Sequence, residues 1–348
     1  MSLRNKKKIL AIIAPWLTIS PIYKWLGKKW SGAGTILMFH RILPKSREFR
    51  VHNHESLEID AEQLEATILF FKKRKYDFLS IDQLASYKST ADKKFVVFTF
   101  DDGYIDNLTH AYPILKKYQV PFTIYITTNF INRKAVIWWY LLEEILSTND
   151  SISIVWKGKP LKYKCQKKEE KENVFNEIRD LIMQELDPAC HLDVFRQIFS
   201  NYFDDLFRFT NENMLTWEQI GELAKDPLVT IASHTVNHLP LRLLSQQQLS
   251  DEITGSGKEL KDRLGMEIKH FAYPFGKQRE AFEREYSFIR ECGFTSAVTT
   301  NIGNVSEVMK TEMVRLPRVN VNRYTTAAVL EMHISGFITF LKKLNLNL

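Results

Sequence analysis

The chain has 348 residues, 45% of them hydrophobic, enough to bury the core of one α/β barrel carrying an insertion. Its formal charge of +7 resides in residues 1–30, where Arg4, Lys6, Lys7, Lys8, Lys24, Lys28 and Lys29 occur without any Asp or Glu; the rest balances 41 basic against 41 acidic residues, which argues against a global nucleic-acid-binding surface. Three widely spaced cysteines, Cys165, Cys190 and Cys292, argue against a disulfide framework or a zinc knuckle and favour a reducing compartment.

Residues 1–34 read as a basic, apolar arm. Its Lys clusters alternate with Ile9–Ile13, Trp16-Leu17 and Ile22–Leu26. Trp and Tyr beside Lys suit the headgroup zone of an anionic bilayer. Pro15, Pro21 and Lys24 interrupt the apolar run, which falls short of the roughly twenty residues a span needs. Three readings stay open. The first is an interfacial anchor, with the protein peripheral on the cytoplasmic face. The second is an uncleaved signal anchor on an exported protein. The third is an extra helix packed on the barrel.

Thr35–Phe39 is a short apolar strand ending in His40-Arg41. His52 and His54 follow in a polar loop and read as surface residues. Asp60, with Glu62-Gln63 behind it, has the chemistry of a helix cap, and Leu64, Ile68, Leu69 and Phe71 give a helical stripe. After a strand-like stretch near Tyr76–Ile81, Phe95–Phe100 is a buried strand ending abruptly in Asp101-Asp102-Gly103. Adjacent carboxylates at a strand exit are costly unless a cation, a hydrogen-bond network or chemistry uses them. Gly103 allows the turn that lets both side chains reach one site.

A helix at Ala111–Tyr118 and a β-rich run at Pro121–Thr127 set up a β–α–β cadence, hence parallel strands with polar residues at their C-terminal ends. Residues of about 133–228 break it and read as a mainly helical insertion with a β turn near Ile152–Tyr163. Trp138, Trp139 and Tyr140 offer either a sugar platform or core packing, and the Lys-rich run Lys157–Lys171 a solvated face. Thr216 caps the next helix, and Val229–Ala232 is a strand leading to Ser233-His234-Thr235-Val236-Asn237-His238. Two His four apart at a turn or helix start can share a face, and with one carboxylate they make an open three-ligand metal site. Ser245 and Gln248 form a capping box. Phe271-Ala272-Tyr273 is a strand, Phe282–Glu291 a helix stopped at Gly293, and Ser296–Thr300 and Val314–Val319 the last strands. Residues 327–348 read as an amphipathic helix, for which core packing is favoured over a second membrane contact.

Thr99–Gly103 and His234-Thr235-x-x-His238 resemble the first two motifs of the polysaccharide deacetylase (NodB-homology) family, carbohydrate esterase family four. Phe271–Gly276 resembles its third motif and Leu316–Val319 its last strand. Ile36–Arg41 resembles the N-terminal His strand of the branch that deacetylates poly-N-acetylglucosamine. The resemblance implies a distorted (β/α)7-type barrel over residues 35–348. It also implies metal-dependent hydrolysis of an N-acyl group on an amino sugar of a glycan or polyprenyl-linked saccharide. Asp102, His234 and His238 would hold a divalent metal, zinc first because nitrogen-rich open sites suit it. Asp101 would be the general base, His40 the general acid, and the Tyr273 amide an oxyanion donor. Many members carry an Arg in the third motif that orients the catalytic Asp; here Arg318 takes that role by analogy, with Arg41 second. Deformylation of a lipid-linked formamido sugar is a close variant, and a non-catalytic glycan-binding relative is the contrasting class.

Overall fold

The computed structural model describes residues 3–44, 50–90, 93–307 and 312–344. Seven strands form its centre: β1 (Gly34–Phe39), β2 (Phe95–Phe100), β3 (Phe122–Ile126), β4 (Val229–Ser233), β5 (His270–Ala272), β6 (Ser296–Ile302) and β7 (Leu316–Asn320). All pairings are parallel, in the order β1-β7-β6-β5-β4-β3-β2, and β2 pairs back onto β1, closing a barrel. Every residue of β1, β2 and β3 is buried, as expected of parallel strands covered on both faces. A two-residue strand, Asp77–Phe78, adds to the start of β2.

Register places the chemistry. β1 and β2 run in step from Gly34 opposite Phe95 to Phe39 opposite Phe100, so the next residues, His40 and Asp101, leave the barrel side by side. β3 and β4 pair to Ile126 opposite Ser233, and Ser233 also faces Phe271 of β5. His234 and the segment after Ala272 therefore emerge at the same C-terminal end.

The insertion contains the helix Trp138–Thr148, the hairpin Ser151–Trp156/Lys159–Lys164 and the helices Lys168–Glu185 and His191–Phe199. Lys157 and Gly158, both at positive φ, make the tight turn that matches hairpin twist. Trp138, Trp139 and Tyr140 are buried in a core continuous with the barrel. One residue of the Lys-rich run departs from the solvated reading. Lys171 is buried and donates to the carbonyls of Leu146, Ser147 and Asn149, where a helix end leaves acceptors unpaired. His54 is likewise not a surface residue. It is fully buried, stacked on Tyr140 at 4.3 Å between ring centroids, with Nδ1 2.8 Å from Glu143. The insertion covers the loop that the sequence leaves bare. The side chains of His52 and Arg4 lie outside the described residues.

The arm forms helices Leu3–Leu17 and Ile22–Gly27, packed on the C-terminal helices Ala327–Ile334 and Phe337–Lys343. Leu10, Ala14 and Tyr23 bury against Val329, Met332, Phe337 and Ile338. Glu331 ties the contact together, accepting from Tyr23 and pairing with Lys24 and Arg74. Two glycines permit the approach: a Cβ on Gly336, itself at φ +82°, would lie 2.3 Å from the Gly27 carbonyl oxygen. The arm thus packs as helices against the C-terminal pair, and its outer face stays apolar, with Trp16 74% and Trp25 76% exposed beside exposed Ile12, Ile19 and Ile22. No single described helix is long and apolar enough to cross a membrane. Lys6–Leu17 and Ile22–Trp30, bent by 115°, pass only as a pair, by length and composition.

Candidate active site

Asp102, His234 and His238 meet at the barrel's C-terminal end. The Nε2 atoms of His234 and His238 lie 3.4 and 3.3 Å from Asp102 Oδ1. The three ligand atoms lie within 4.8 Å of one another, and all three side chains are buried. Asp102 Oδ1 has no hydrogen-bond partner among the described residues. Four-coordinate zinc with bonds of about 2.0–2.1 Å would set its ligand atoms roughly 3.3 Å apart. The donor set and its spacing therefore fit a divalent metal. His234 Nδ1 donates to the Ala272 carbonyl at 2.7 Å, which fixes the tautomer that presents Nε2.

The backbone is bent to make this convergence. Asp102, Thr235 and His238 all take positive φ, a conformation that non-glycine residues hold at a cost when a site demands it. The His pair sits on an irregular loop and not on a helical face. Thr235 Oγ1 accepts the His238 amide at 3.0 Å, and Glu252 accepts the Val236 and Asn237 amides at 3.0 and 2.8 Å. These contacts hold the loop between the two imidazoles.

Arg318 grips Asp101 with a two-pronged fork: NH1 to Oδ1 and NH2 to Oδ2, each 2.7 Å. It also donates to the Thr299 carbonyl and to Thr99 Oγ1, and is fully buried. Such a planar fork fixes a carboxylate in orientation as well as charge. Burial alone would raise the Asp101 carboxyl; Arg318 outweighs it and holds the group below its ordinary range. Arg41, the second choice, is elsewhere, paired with Asp106 at 2.8 Å and donating to Asn213. His40 Nε2 lies 3.9 Å from Asp101 Oδ2. Burial lowers the His40 pKa, against the upward pull of Asp101 and Asp102. Burial also lowers His238, to about 3, while Asp102, despite burial, is held low by His238 and His234.

Tyr273 does not serve as expected. Its amide donates to the Val298 carbonyl at 3.1 Å, extending the β5–β6 pairing, and its hydroxyl donates to Val314. Both polar groups are committed away from the site. Two residues on, Phe275 lies on the cavity wall at φ +59°, its ring 4.6 Å from that of His238. Its amide has no acceptor among the described residues. A Pro-x-Gly turn directly after a strand was the available signal.

A cavity of about 400 Å³ opens over the set. Trp138 and Trp139 line it, the latter 5.3 Å from His238, so these buried rings are core residues that also present a face to the cavity. Lys7, on the arm, reaches the same space, which no sequence pattern signals.

A parallel seven-stranded barrel thus gathers at one end a buried carboxylate and two imidazoles that could hold a metal, and a second, Arg-held carboxylate, the parts a hydrolase site needs. The sequence profile of the polysaccharide deacetylase family matches residues 88–180 and 196–296, more than half of the chain, which therefore belongs to that family, hydrolases of amide C–N bonds. YxkH of Bacillus subtilis (strain 168), named for the same family, is 24% identical over 275 residues, 78% of this chain and 66% of YxkH, so about a third of that relative is unmatched. Among solved structures, the deacetylase PplD of Streptococcus pyogenes aligns over 86% of this chain and 97% of its own, with TM-score 0.55 and 20% identity. IcaB of Ammonifex degensii aligns over 87% and 97%, with TM-score 0.53 and 18% identity. These likenesses establish the shared barrel.

Proposed function

We propose that this protein is a metal-dependent hydrolase that removes an N-acyl group, acetyl foremost, from an amino sugar. The observation that carries the reading is the pairing of two carboxylates in one cavity: Asp102 within reach of two imidazoles, and Asp101 clamped by Arg318. Asp102, His234 and His238 would hold the metal, zinc by preference. When bound it polarises the amide carbonyl and acidifies water. Asp101, kept ionised by Arg318, takes the proton from the water oxygen as that oxygen bonds to the carbonyl carbon. His40, beside Asp101, delivers a proton to the nitrogen as the C–N bond breaks, releasing amine and carboxylate. The Phe275 amide, on the cavity wall, replaces Tyr273 as donor to the developing oxyanion. Trp138 and Trp139 supply the apolar wall for a sugar ring.

The outer face of the arm supports a second part of the reading: the protein rests on an anionic membrane, with Trp16 and Trp25 in the headgroup zone. The cytoplasmic face is favoured, and an exported protein with an uncleaved anchor is the rival. Co-sedimentation with vesicles containing phosphatidylglycerol should fall at least fivefold on replacing both Trp16 and Trp25 by Ser; unchanged binding would sink this part.

Asp101→Asn tests the chemistry. It should bind metal as the wild type does, yet release no acetate from an N-acetylglucosamine oligomer and no formate from an N-formyl analogue. A glycan-binding protein without activity would bind the oligomer and release neither acid in wild-type form. Full activity in Asp101→Asn would remove Asp101 from the role of base.

A further inference from the structure

The mechanism uses the acidic and imidazole floor of the cavity and leaves its cationic wall unexplained. Lys7, Lys277 and Arg179 line the same space as Asp101 and Asp102. Lys7 comes from the arm, Lys277 from the loop after Phe275, and Arg179 from the insertion, so three separate segments bring cations together. Lys7 donates to Ser56 Oγ at 2.7 Å, and neither Lys7 nor Lys277 has a carboxylate within ion-pair distance among the described residues. The nearby acids are engaged, except that Glu280, which lines the same wall, leaves its buried Oε2 without a hydrogen-bond partner among the described residues. Glu280 pairs with Arg279, Glu55 with Arg323, and Asp180 with Arg179 itself.

Like charges do not gather around an empty cavity without a penalty. Burial, reinforced by Lys277 and only partly opposed by Glu55, brings the Lys7 ammonium down to about 8. Lys277 and Arg179 are lowered too, first by burial and then by cationic neighbours, Arg179 and Arg279 for Lys277 and Arg279 for Arg179, with Glu280 pulling both the other way and Asp180 also opposing the shift of Arg179. An anion entering between them would relieve all three. The neighbouring wall shows what sort of anion. Leu10, Val329 and Ile338 give the cavity an apolar side where the arm meets the C-terminal helices. The helix that turns Lys7 and Leu10 inward turns Ile12 and Trp16 outward. Sugar chemistry, cations and apolar surface thus follow one another from the barrel floor to the arm.

We propose that Lys7 and Lys277, backed by Arg179, form an anion subsite that receives the phosphate or diphosphate of a lipid-linked amino sugar, whose acyl group then lies at Asp101. The proposal rests on the deacylase reading and decides, on these three cations, between the two substrate classes the sequence resemblance left open, a glycan and a polyprenyl-linked saccharide, in favour of a glycosyl phosphate on an isoprenoid-type carrier. Lysine and arginine match phosphate oxygens by charge and by N–H geometry.

The test compares two substrates of the metal-loaded full chain: methyl N-acetylglucosaminide and N-acetylglucosamine linked to citronellyl diphosphate. The wild type should favour the diphosphate at least tenfold in kcat/KM, through KM. Lys7→Gln and Lys277→Gln should each reduce that preference fivefold or more. No preference in the wild type, or a preference both variants keep, overturns the proposal. If binding to phosphatidylglycerol vesicles weakens in both variants while the preference stays, the cations serve phospholipid headgroups and the proposal likewise falls. If the wild type hydrolyses neither compound, the deacylase reading fails, and calorimetric titration with inorganic pyrophosphate judges the subsite separately. Binding weakened fivefold by either substitution upholds it; equal or absent binding refutes it.

Discussion

Arg318 shows how one side chain ties the fold to the chemistry. It is fully buried, and among the described residues its only anionic partner at hydrogen-bond distance is Asp101, so its removal strands a buried carboxylate. Breaking such a pair costs about 3–5 kcal/mol. Arg318→Met should therefore lower the denaturation midpoint sharply. Arg318→Lys, which keeps charge but loses the fork, should stay folded and lose at least tenfold in kcat; near wild-type kcat in that variant would show that Asp101 needs no orientation. Arg318 was reached by analogy: a third motif without its usual Arg asked for a substitute, and the sequence offered two strand-end candidates, Arg318 first and Arg41 second, without showing which meets Asp101. Tyr273 was misread for a local reason: whether an amide continues a ladder or leaves it depends on the register with β6, which Pro274 does not reveal. His54 was misread because an unpatterned loop gives no sign that an insertion will cover it.

Among the elements, the arm and the C-terminal helices form one unit. Gly336 and Gly27 let their backbones touch. Gly336→Ala should force them apart at about 1–3 kcal/mol, and limited trypsin digestion should then cut the arm near its Lys residues faster than in the wild type. An unchanged digestion pattern would mean that the contact is not what holds the arm. His333, in the same unit, is pushed down to about 4 by burial. Unfolded, it would take up its proton near pH 6.5, so between pH 6.5 and 4 the unfolded state binds more protons. Native stability should fall with acid across that window, by roughly 2 kcal/mol between pH 7 and pH 5. Urea unfolding at the two pH values, in wild type and His333→Gln, checks this; an equal loss in the variant would assign the acid sensitivity elsewhere. The amphipathic periodicity of both segments was plain in the sequence, but not their partnership, since apolar stripes fit a membrane and another helix equally well.

For the whole molecule, the barrel was readable because alternating β-runs and helices leave few ways to wind parallel strands, and because Asp101-Asp102 and the His pair each close a strand. What the sequence hid is enclosure: the insertion and the arm, neither carrying a motif, build the walls of the cavity and bring Lys7 to it. The central claim is that Asp102, His234 and His238 grip one catalytic cation. Calorimetric titration of the chelator-treated full chain with Zn2+, read beside acetate release, tests it most directly. The account predicts one tight site whose filling restores activity in proportion, and its loss in His238→Ala. Undiminished binding in that variant, or acetate release at full rate from metal-free protein, would contradict it.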